Sequence, residues 1–587
     1  FGPNCYGFVN FFDRVGMMPD QVVGPHVDRG VAIICQSGTI ALTLMFNHRS
    51  VPIGCLFTVG NQTRLAVEDL IEILCDDPRV TAFGLYLEGV KDADAFARAA
   101  AKARAAGKPI ALIKSGRTAA AARTAHSHTG ALAGEDSVFE AFCRQAGLAR
   151  CDTLSTLCET LKLFHAGGAL PGRKVLVMGA SGGDMAMTAD VARFLDLDFA
   201  AIPATQAASL RAQLTDRVTV ANPFDIHTYL WFDPPALGRV FATALRSGYD
   251  AVGFMLDRPP EGEADASAYD VVIDEFIAAS QTAPSRAALI ASLPETISAS
   301  IRQRCLAGGV IPLQGQREAL EALSLAGGVG LAWRSGPGVR LHIPPPADGN
   351  LGTHAPRSNS ATHGKSAAGG DDSVRTLSEA EGKSALAAFG VRIPQGRVVS
   401  PDAVARAAAG LGFPVAIKAV GAHLEHKTEV GGVVLNVRGA AEAAAAAGAL
   451  ASLSDTLLVE EMITDGVAEM LVGVVVDPQF GQVLVVGAGG VLTELLSDSV
   501  TLLPPWTQES ITAALGRLTA AKLLQGFRGK PAGDVDALVE AILGVGRYAS
   551  ASLATLVEID VNPVIVRPAG KGVVAVDTLI RLKNLAR

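Results

Sequence analysis

From residue 28 to about 330, apolar runs of strand length alternate with stretches of helical spacing. Val31–Cys35 reads as a buried strand, Gln36-Ser37-Gly38-Thr39 as a tight turn, and Ile40 to His48 as a helix. Two more strands follow, with a helix over 66–75 between them: Leu56–Val59, closed by Gly60-Asn61, and Thr81–Leu87, closed by Glu88-Gly89. Pro109–Ile113 is a further strand and Glu135 to Ala146 an amphipathic helix. The pattern restarts at the strand Lys174–Met178, which runs through the turn Gly179-Ala180-Ser181-Gly182-Gly183-Asp184 into a helix over 185–195, and it continues to Ile311-Pro312-Leu313. Strand, small-residue turn and helix, twice over, predict two doubly wound parallel-sheet domains at 28–168 and 172–330. Ser181-Gly182-Gly183 echoes Ser37-Gly38-Thr39 as a possible internal repeat.

Residues 334–373 are rich in Gly, Pro, Ser, Asn and His, lack apolar periodicity, and read as a flexible linker. A further domain is expected over 374–587. Ser378-Glu379-Ala380-Glu381 has the pattern of a capped helix start. Phe413–Lys418 and Leu457–Val459 are strands, the latter followed by Glu460-Glu461-Met462, and Ala440 to Leu450 is an alanine-rich helix. The later punctuation is Gly487-Ala488-Gly489-Gly490, Glu558-Ile559-Asp560-Val561-Asn562-Pro563 and Val576-Asp577.

Three stretches carry candidate chemistry. The turn Ser37-Gly38-Thr39 lies between a strand and a helix, where unsatisfied N–H groups and the helix dipole favour an anion. Glu88 stands at the C-terminal end of a parallel strand, where such sheets place their sites, although a cap or a solvated turn explains it equally well. The loop Ala125-His126-Ser127-His128-Thr129-Gly130-Ala131-Leu132-Ala133-Gly134 sets two histidines among small residues. It reads either as a polar surface loop or as a place where phosphate oxygens approach the backbone beside an imidazole. Asn222-Pro223-Phe224-Asp225-Ile226-His227-Thr228-Tyr229-Leu230-Trp231 gathers His, Tyr and Trp in a chain with three tryptophans; these rings either pack internally or contact an acyl, aromatic or cationic ligand.

Composition narrows the classes. The chain has 587 residues, enough for three or four domains, and a net charge of −8, which argues against a nucleic-acid partner and a polybasic membrane patch. Mean hydropathy is +0.31, but alanine and valine account for it. No uncharged apolar run reaches the roughly 20 residues of a spanning helix. Eight cysteines occur singly, without a Cys-x-x-Cys pair, which points to reduced thiols in a cytoplasmic setting rather than zinc or disulfides. No signal peptide is read, and the first residue is not Met, as in a fragment.

Ser127-His128-Thr129-Gly130-Ala131-Leu132-Ala133-Gly134 resembles the phosphohistidine loop of the NDP-forming acyl-CoA synthetases, the superfamily of ADP-forming acetyl-CoA synthetase and succinyl-CoA synthetase. The later blocks, from Phe413–Lys418 to Asp577, are similar in their order to that family's ATP-grasp domain. The resemblance implies two flavodoxin-like domains followed by an ATP-grasp α+β domain. It also implies that residues 1–27, with Gly2-Pro3-Asn4-Cys5, are the end of an N-terminal CoA-binding Rossmann domain mostly missing here. It assigns His128 as the phosphoryl acceptor, Glu88 as the carboxylate orienting it, and Ser37, Gly38 and Thr39 as the phosphate cradle.

In the ATP-grasp part the resemblance implies His426 as a second, transient phosphohistidine. Lys418 and Arg528 would meet nucleotide phosphates, and Glu460, Glu461 and Met462 would border the adenine through backbone groups. Asn562 and Asp577, assisted by Glu494, would hold Mg²⁺. Gly60, Asn61, His227, Tyr229 and Trp231 are candidates for the acid pocket. The implied activity is ADP-forming ligation of a carboxylic acid to CoA, with ATP, Mg²⁺ and CoA required and a homo-oligomeric assembly expected. Two alternatives stay open: a non-catalytic nucleotide- or CoA-sensing protein, and a ligase-derived enzyme acting on an aromatic or zwitterionic acid with further acyl-CoA chemistry.

Overall fold

The computed structural model describes residues 2–118, 136–336, 338–343, 374–421, 431–490 and 498–584. It divides into two compact units, Phe1–Val339 and Arg340–Arg587.

The first unit holds two sheets. The strands of the first are β1 (Phe8–Asn10), β2 (Val15–Met17), β3 (Gly30–Cys35), β4 (Ile53–Thr58), β5 (Val80–Leu87), β6 (Ile110–Lys114) and β7 (Ala149–Arg150), in the order β2-β1-β4-β3-β5-β6-β7. From β4 to β7 the pairings are parallel. Cys35 is in register with Thr58 and with Tyr86, and Leu87 with Lys114, so the C-terminal ends of β3 to β6 form one edge. Every residue of β3 is buried, which is why it is apolar throughout rather than alternating.

Residues 8–17 form a hairpin that extends the first sheet, with β1 antiparallel to β4. Phe8 stacks on Phe57 with ring centroids 6.0 Å apart, and Val9 and Phe11 join the core beneath.

The second sheet comprises β8 (Val175–Gly179), β9 (Phe224–Asp225), β10 (Ala251–Met255), β11 (Arg286–Ala291) and β12 (Ile311–Gln314), all parallel, in the order β12-β11-β10-β8-β9. The helices Leu154–Gly167 and Gln316–Arg334 contribute core residues between the two sheets. Buried charges pin this seam. Lys162 Nζ lies 2.6 Å from Glu159 Oε2 and donates to the Pro312 carbonyl at 2.6 Å. Arg49 pairs with Glu159 at 2.8 Å, and the Gln314 N–H donates to Glu159 at 3.0 Å.

In the second unit β14 (Gly396–Val399), β15 (Val415–Ala419), β16 (Val433–Val437) and β17 (Leu457–Glu461) form a small antiparallel sheet, β14-β17-β15-β16. A larger antiparallel sheet takes β13 (Val374–Thr376), β18 (Ala468–Asp477), β19 (Gly481–Ala488), β20 (Ser499–Leu502), β21 (Leu556–Val566), β22 (Val573–Ala575) and β23 (Leu579–Lys583). Its order is β13-β23-β21-β18-β19-β20, with β22 also on β21. Of the expected linker, residues 337 and 344–373 lie outside the described residues. The helix Gln316–Arg334 reaches its first position, and residues 340–343 are tied into the second unit. There the Arg340 N–H donates to the Pro504 carbonyl and the Gln482 N–H to that of His342, both at 3.0 Å. Among the described residues no helix is long and apolar enough to cross a membrane.

The seam makes a testable claim. Removing Lys162 leaves the buried Glu159 with only Arg49 and the Gln314 N–H and takes the donor from the Pro312 carbonyl; losing one member of a buried ion pair costs up to about 3–5 kcal/mol. Lys162→Met is therefore expected to lower the unfolding midpoint of the first unit, followed by Trp231 and Trp333 fluorescence. An unchanged midpoint refutes the role given to the pair.

Candidate functional site

The first sheet reverses its winding at β3, with β4 on one side and β5 on the other. Doubly wound sheets bind ligands at the carboxyl ends of the strands at such a reversal. Three groups meet there. The helix Gly38–Met45 starts from Ser37, whose Oγ accepts the Ile40 N–H at 3.4 Å, and its first turn carries no acidic residue. The helix begins two residues before its expected start because Ser37 caps it. Opposite, Glu88 is almost fully buried at the end of β5. Between them Gln36, equally buried, accepts the backbone N–H groups of Glu88 and Gly89 on its Oε1, the latter at 3.0 Å.

Sequence reasoning passed over Gln36. It touches residues more than fifty positions away, and its spacing alone carries no signal.

The N-terminal segment closes one side of this edge. Thr58 Oγ1 accepts the N–H groups of Tyr6 and Gly7, both at 2.8 Å, and donates to the Gly7 carbonyl at 3.0 Å. Gly60 has φ +49°, and a Cβ there would stand 2.4 Å from the Asn4 carbonyl oxygen. Asn61 faces Asn4 through a side-chain hydrogen bond of 3.4 Å. Gly38 admits the Tyr6 ring, which lies 2.6 Å from where a Cβ would be. Ser37, Gly38, Gly60, Asn61 and Glu88 thus share one edge.

His128 and His126 lie outside the described residues. The residues flanking that segment are fixed by charge. Arg117, before it, pairs with Asp152 and, at 3.4 Å, with Asp136, after it. Arg150 pairs with Asp136 and, at 2.9 Å, with Glu140. Burial pushes the Asp136 carboxyl up, but Arg150 and Arg117 outweigh it and hold it below the usual range.

The second sheet offers a different edge. Ser181 caps the helix Gly182–Ala192 by accepting the Asp184 N–H at 3.3 Å. Burial and the neighbouring Asp257 and Asp225 raise the Asp184 carboxyl above its usual range. The His227 ring lies 5.4 Å from that of Tyr229, and Trp231 packs edge-on against Tyr269, also at 5.4 Å. Trp231 is partly buried and packs against the core of the second sheet, whereas Tyr229 is exposed. This aromatic group sits beyond β9, the edge of the second sheet. Among the described residues no hydrogen bond, ion pair or ring contact joins it to Gly60 or Asn61.

In the second unit Lys418 lies buried on β15. Its Nζ approaches Glu379 at 2.6 Å, the Val576 carbonyl at 2.5 Å and Glu460 at 3.3 Å. Burial pulls this ammonium down, but Glu379, Glu460 and Asp577 outweigh it and raise it above the usual lysine range.

The Glu461 N–H donates to the Gln395 carbonyl at 2.9 Å, and that of Met462 to the Pro414 carbonyl at 3.1 Å. These two N–H groups are therefore engaged within the protein, which limits their expected part at an adenine to carbonyl oxygens. Glu460 is also more than a backbone position, because its buried side chain pairs with Lys383 at 2.6 Å. Arg528 stands on an exposed loop at φ +50°, its guanidinium 5.2 Å from the Phe527 ring centroid. His426 and Glu494 lie outside the described residues.

Along β21, Met470 opposes Val564 while Val472 opposes Val561, so β21 carries an extra residue at Asn562-Pro563. Proline supplies no N–H to the ladder, and such a bulge re-aims side chains. Glu558, Asp560 and Asn562 occupy alternate positions on the half-buried face. Burial, then Asp577 and Glu558, push the Asp560 carboxyl up to about 6. The Asn562 Oδ1 accepts the Gly490 N–H at 3.1 Å. Asp560 was missed from sequence, although its spacing of two from Asn562 on a strand is a signal that finds it.

Comparison with known proteins places this geometry in context. Residues 28–164 match the family model of the succinyl-CoA ligase like flavodoxin domain, and residues 370–582 that of the ATP-grasp domain. The trans-feruloyl-CoA synthase FCS1 of an unknown prokaryotic organism is 31% identical over 99% of this chain and 81% of its own length. The ADP-forming 4-hydroxybutyrate–CoA ligase of Nitrosopumilus maritimus is 26% identical over 99% of this chain and 82% of its own. A solved structure of Ca. Korarchaeum cryptofilum dinucleotide forming acetyl-coenzyme A synthetase 1, in complex with coenzyme A and Ca-AMPCP, aligns at 31% identity. It covers 36% of this chain and 94% of that one, with a TM-score of 0.34. Sustained over nearly the whole sequence, the likeness to the first of these relatives makes the chain a member of the NDP-forming acyl-CoA synthetase superfamily, with a flavodoxin-like CoA-ligase domain and an ATP-grasp domain.

Proposed function

We propose that the protein is an acid–CoA ligase that converts a carboxylic acid, ATP and CoA into acyl-CoA, ADP and phosphate. The observation that carries this reading is the edge at the β3 reversal, where a helix start free of acidic residues faces a buried carboxylate across Gln36. Such an edge suits an imidazole that carries a phosphoryl group: N–H groups for the anion and a carboxylate for the ring. No observation favours a purely sensing role.

The steps follow from the resemblance. The γ-phosphoryl of ATP passes to a nitrogen of His426, with ADP leaving, and then to His128. Glu88 holds the ring tautomer, and the Ser37 helix start meets the phosphoryl oxygens. A carboxylate oxygen of the acid attacks phosphorus, giving an acyl phosphate and free His128. The CoA thiolate attacks the acyl carbon and phosphate departs. A histidine carrier splits the reaction into halves, so nucleotide and acid need never meet; each transfer is mainly positioning and charge neutralisation.

At the nucleotide, Lys418 and Arg528 take phosphate oxygens, the latter bidentately, and the carbonyls of Glu460 to Met462 border the base. Gly60 and Asn61 stand beside Ser37 and are assigned to the acid. The His227, Tyr229 and Trp231 group lacks that support. The relatives' names include feruloyl, 4-hydroxybutyrate and acetate, so the acid itself needs a screen. Eight free cysteines suit a reducing compartment, and we place the protein in the cytoplasm.

Mg²⁺ fits the carboxylate and amide oxygens of Asp560, Asp577 and Asn562. They are hard donors, and burial and the neighbouring Asp577 raise the proton affinity of Asp560, which a cation relieves. Among the described residues no group of three His, Cys, Asp or Glu is placed to hold a metal. Mg²⁺ bound there would complete its shell with water and phosphate. Bound there, Mg²⁺ would neutralise phosphate charge as a Lewis acid.

His128→Ala is expected to abolish acyl-CoA formation and phosphate release across a panel of short, hydroxylated, aromatic and zwitterionic acids, while nucleotide binding persists. Continued turnover refutes the reading. The metal assignment has its own test. Because the folded protein holds Asp560 up to about 6, ionising it costs stability as pH rises from about 4 toward that value, and the cost is full above it. Without divalent cations at about pH 8, Asp560→Asn should therefore melt higher than wild type. It should also lose the rise in melting temperature that Mg²⁺ gives the wild type, a rise that grows between about pH 5 and 7 as the cation displaces the proton. A Mg²⁺-induced rise unchanged in Asp560→Asn overturns the site.

A further inference from the structure

The helix Glu379–Ala387 brings Glu379 and Lys383, one turn apart, against the small sheet. Both are buried, as are Lys418 and Glu460. Lys383 Nζ contacts Glu379 Oε1 at 2.7 Å and both carboxylate oxygens of Glu460, at 2.6 and 2.7 Å. Lys418 Nζ reaches the same two carboxylates and the Val576 carbonyl. Two lysines and two carboxylates thus meet in one buried cluster, with the Asp577 carboxylate adding to the charge that Lys418 faces; burial and the Lys418 ammonium pull Lys383 below its usual range, and Glu379 and Glu460 oppose them.

A lysine has three N–H donors, and Lys418 meets three acceptors here, so none is left for a phosphate in this arrangement. To serve a nucleotide it must give up at least one contact, and the longest, 3.3 Å to Glu460, is the weakest. A buried carboxylate that loses its counter-charge is costly. Lys383 removes that cost, because it grips Glu460 through both oxygens whether or not Lys418 stays.

We infer that Lys383 is a positioning residue that makes Lys418 exchangeable: it holds Glu460 and Glu379 while Lys418 turns from them to the nucleotide phosphates. The inference rests on the proposed contact between Lys418 and the nucleotide. Without Lys383 two carboxylates would share one ammonium, and Lys418 would be retained. The quantity that matters is the charge count of the cluster rather than the volume of the Lys383 side chain.

Calorimetric titration of the full chain with AMPPNP and Mg²⁺ tests this in four variants. Lys383→Met is expected to weaken binding at least tenfold. Lys383→Met combined with Glu379→Gln restores one positive and one negative group, and should return affinity to within about threefold of wild type. Glu379→Gln alone loosens Lys418 and should bind as well as wild type or better. A double variant no tighter than Lys383→Met, or a Lys383→Met variant that binds like wild type, overturns the inference. So does a weakened Glu379→Gln, which decides the matter should Lys383→Met fail to fold. Lys418→Met separates the two claims. If it leaves affinity unchanged, the nucleotide role of Lys418 falls and the inference with it. If it weakens binding while Lys383→Met does not, only the inference falls.

Discussion

A strand buried on both faces of a parallel sheet cannot carry polar side chains along its length, so its chemistry is pushed to its carboxyl end. That constraint governs the first unit. β3 is apolar from end to end, and the first polar side chains after it, Gln36 and Ser37, emerge beside Glu88 because parallel register brings the ends of β3 and β5 level. The helix start at Ser37 then supplies N–H groups that no backbone carbonyl can satisfy. The site follows from where the strands must end.

The second unit reaches a comparable result by other means. Its sheets are antiparallel, one face of β21 is half-buried, and the bulge at Asn562-Pro563 breaks the ladder beside the face that bears Asp560 and Asn562. Carboxylates crowd there, while two lysines gather on the helix Glu379–Ala387 and the small sheet. The first group is carboxylate-rich, whereas the lysines are paired with Glu379 and Glu460 on the same helix and sheet before any ligand arrives. Lys418, whose environment includes both Glu379 and Asp577, is the link between the two groups.

The placement of much of the candidate site was legible because its signals are local. Ser37 follows an apolar run and precedes a helical one, which is how an N-cap reads in any sequence. Glu88 and Gly60-Asn61 are strand endings. Lys383 and Glu379 carry the opposite lesson. Four apart on a capped helix, they look like a solvent-exposed pair of small worth, and only Glu460, 77 residues later, turns them into buried charges. Gln36 was hidden for the same reason, since its partners on β5 are 52 and 53 positions away. The hairpin at Phe8–Met17 escaped notice because each of its strands has three residues, too short for a period to show.

The sequence by itself determined most of the run of strands, turns and helices, the parallel pairing among β3 to β7 and in the second sheet, the residues that end those strands, and through its motifs the family. These depend on spacing and side-chain type, which a chain carries with it unfolded. Tertiary structure alone decided which strand ends meet, which charges are buried together and which N–H groups are already taken. Those outcomes depend on register between segments far apart in sequence, and a slip of one residue would turn every side chain to the other face.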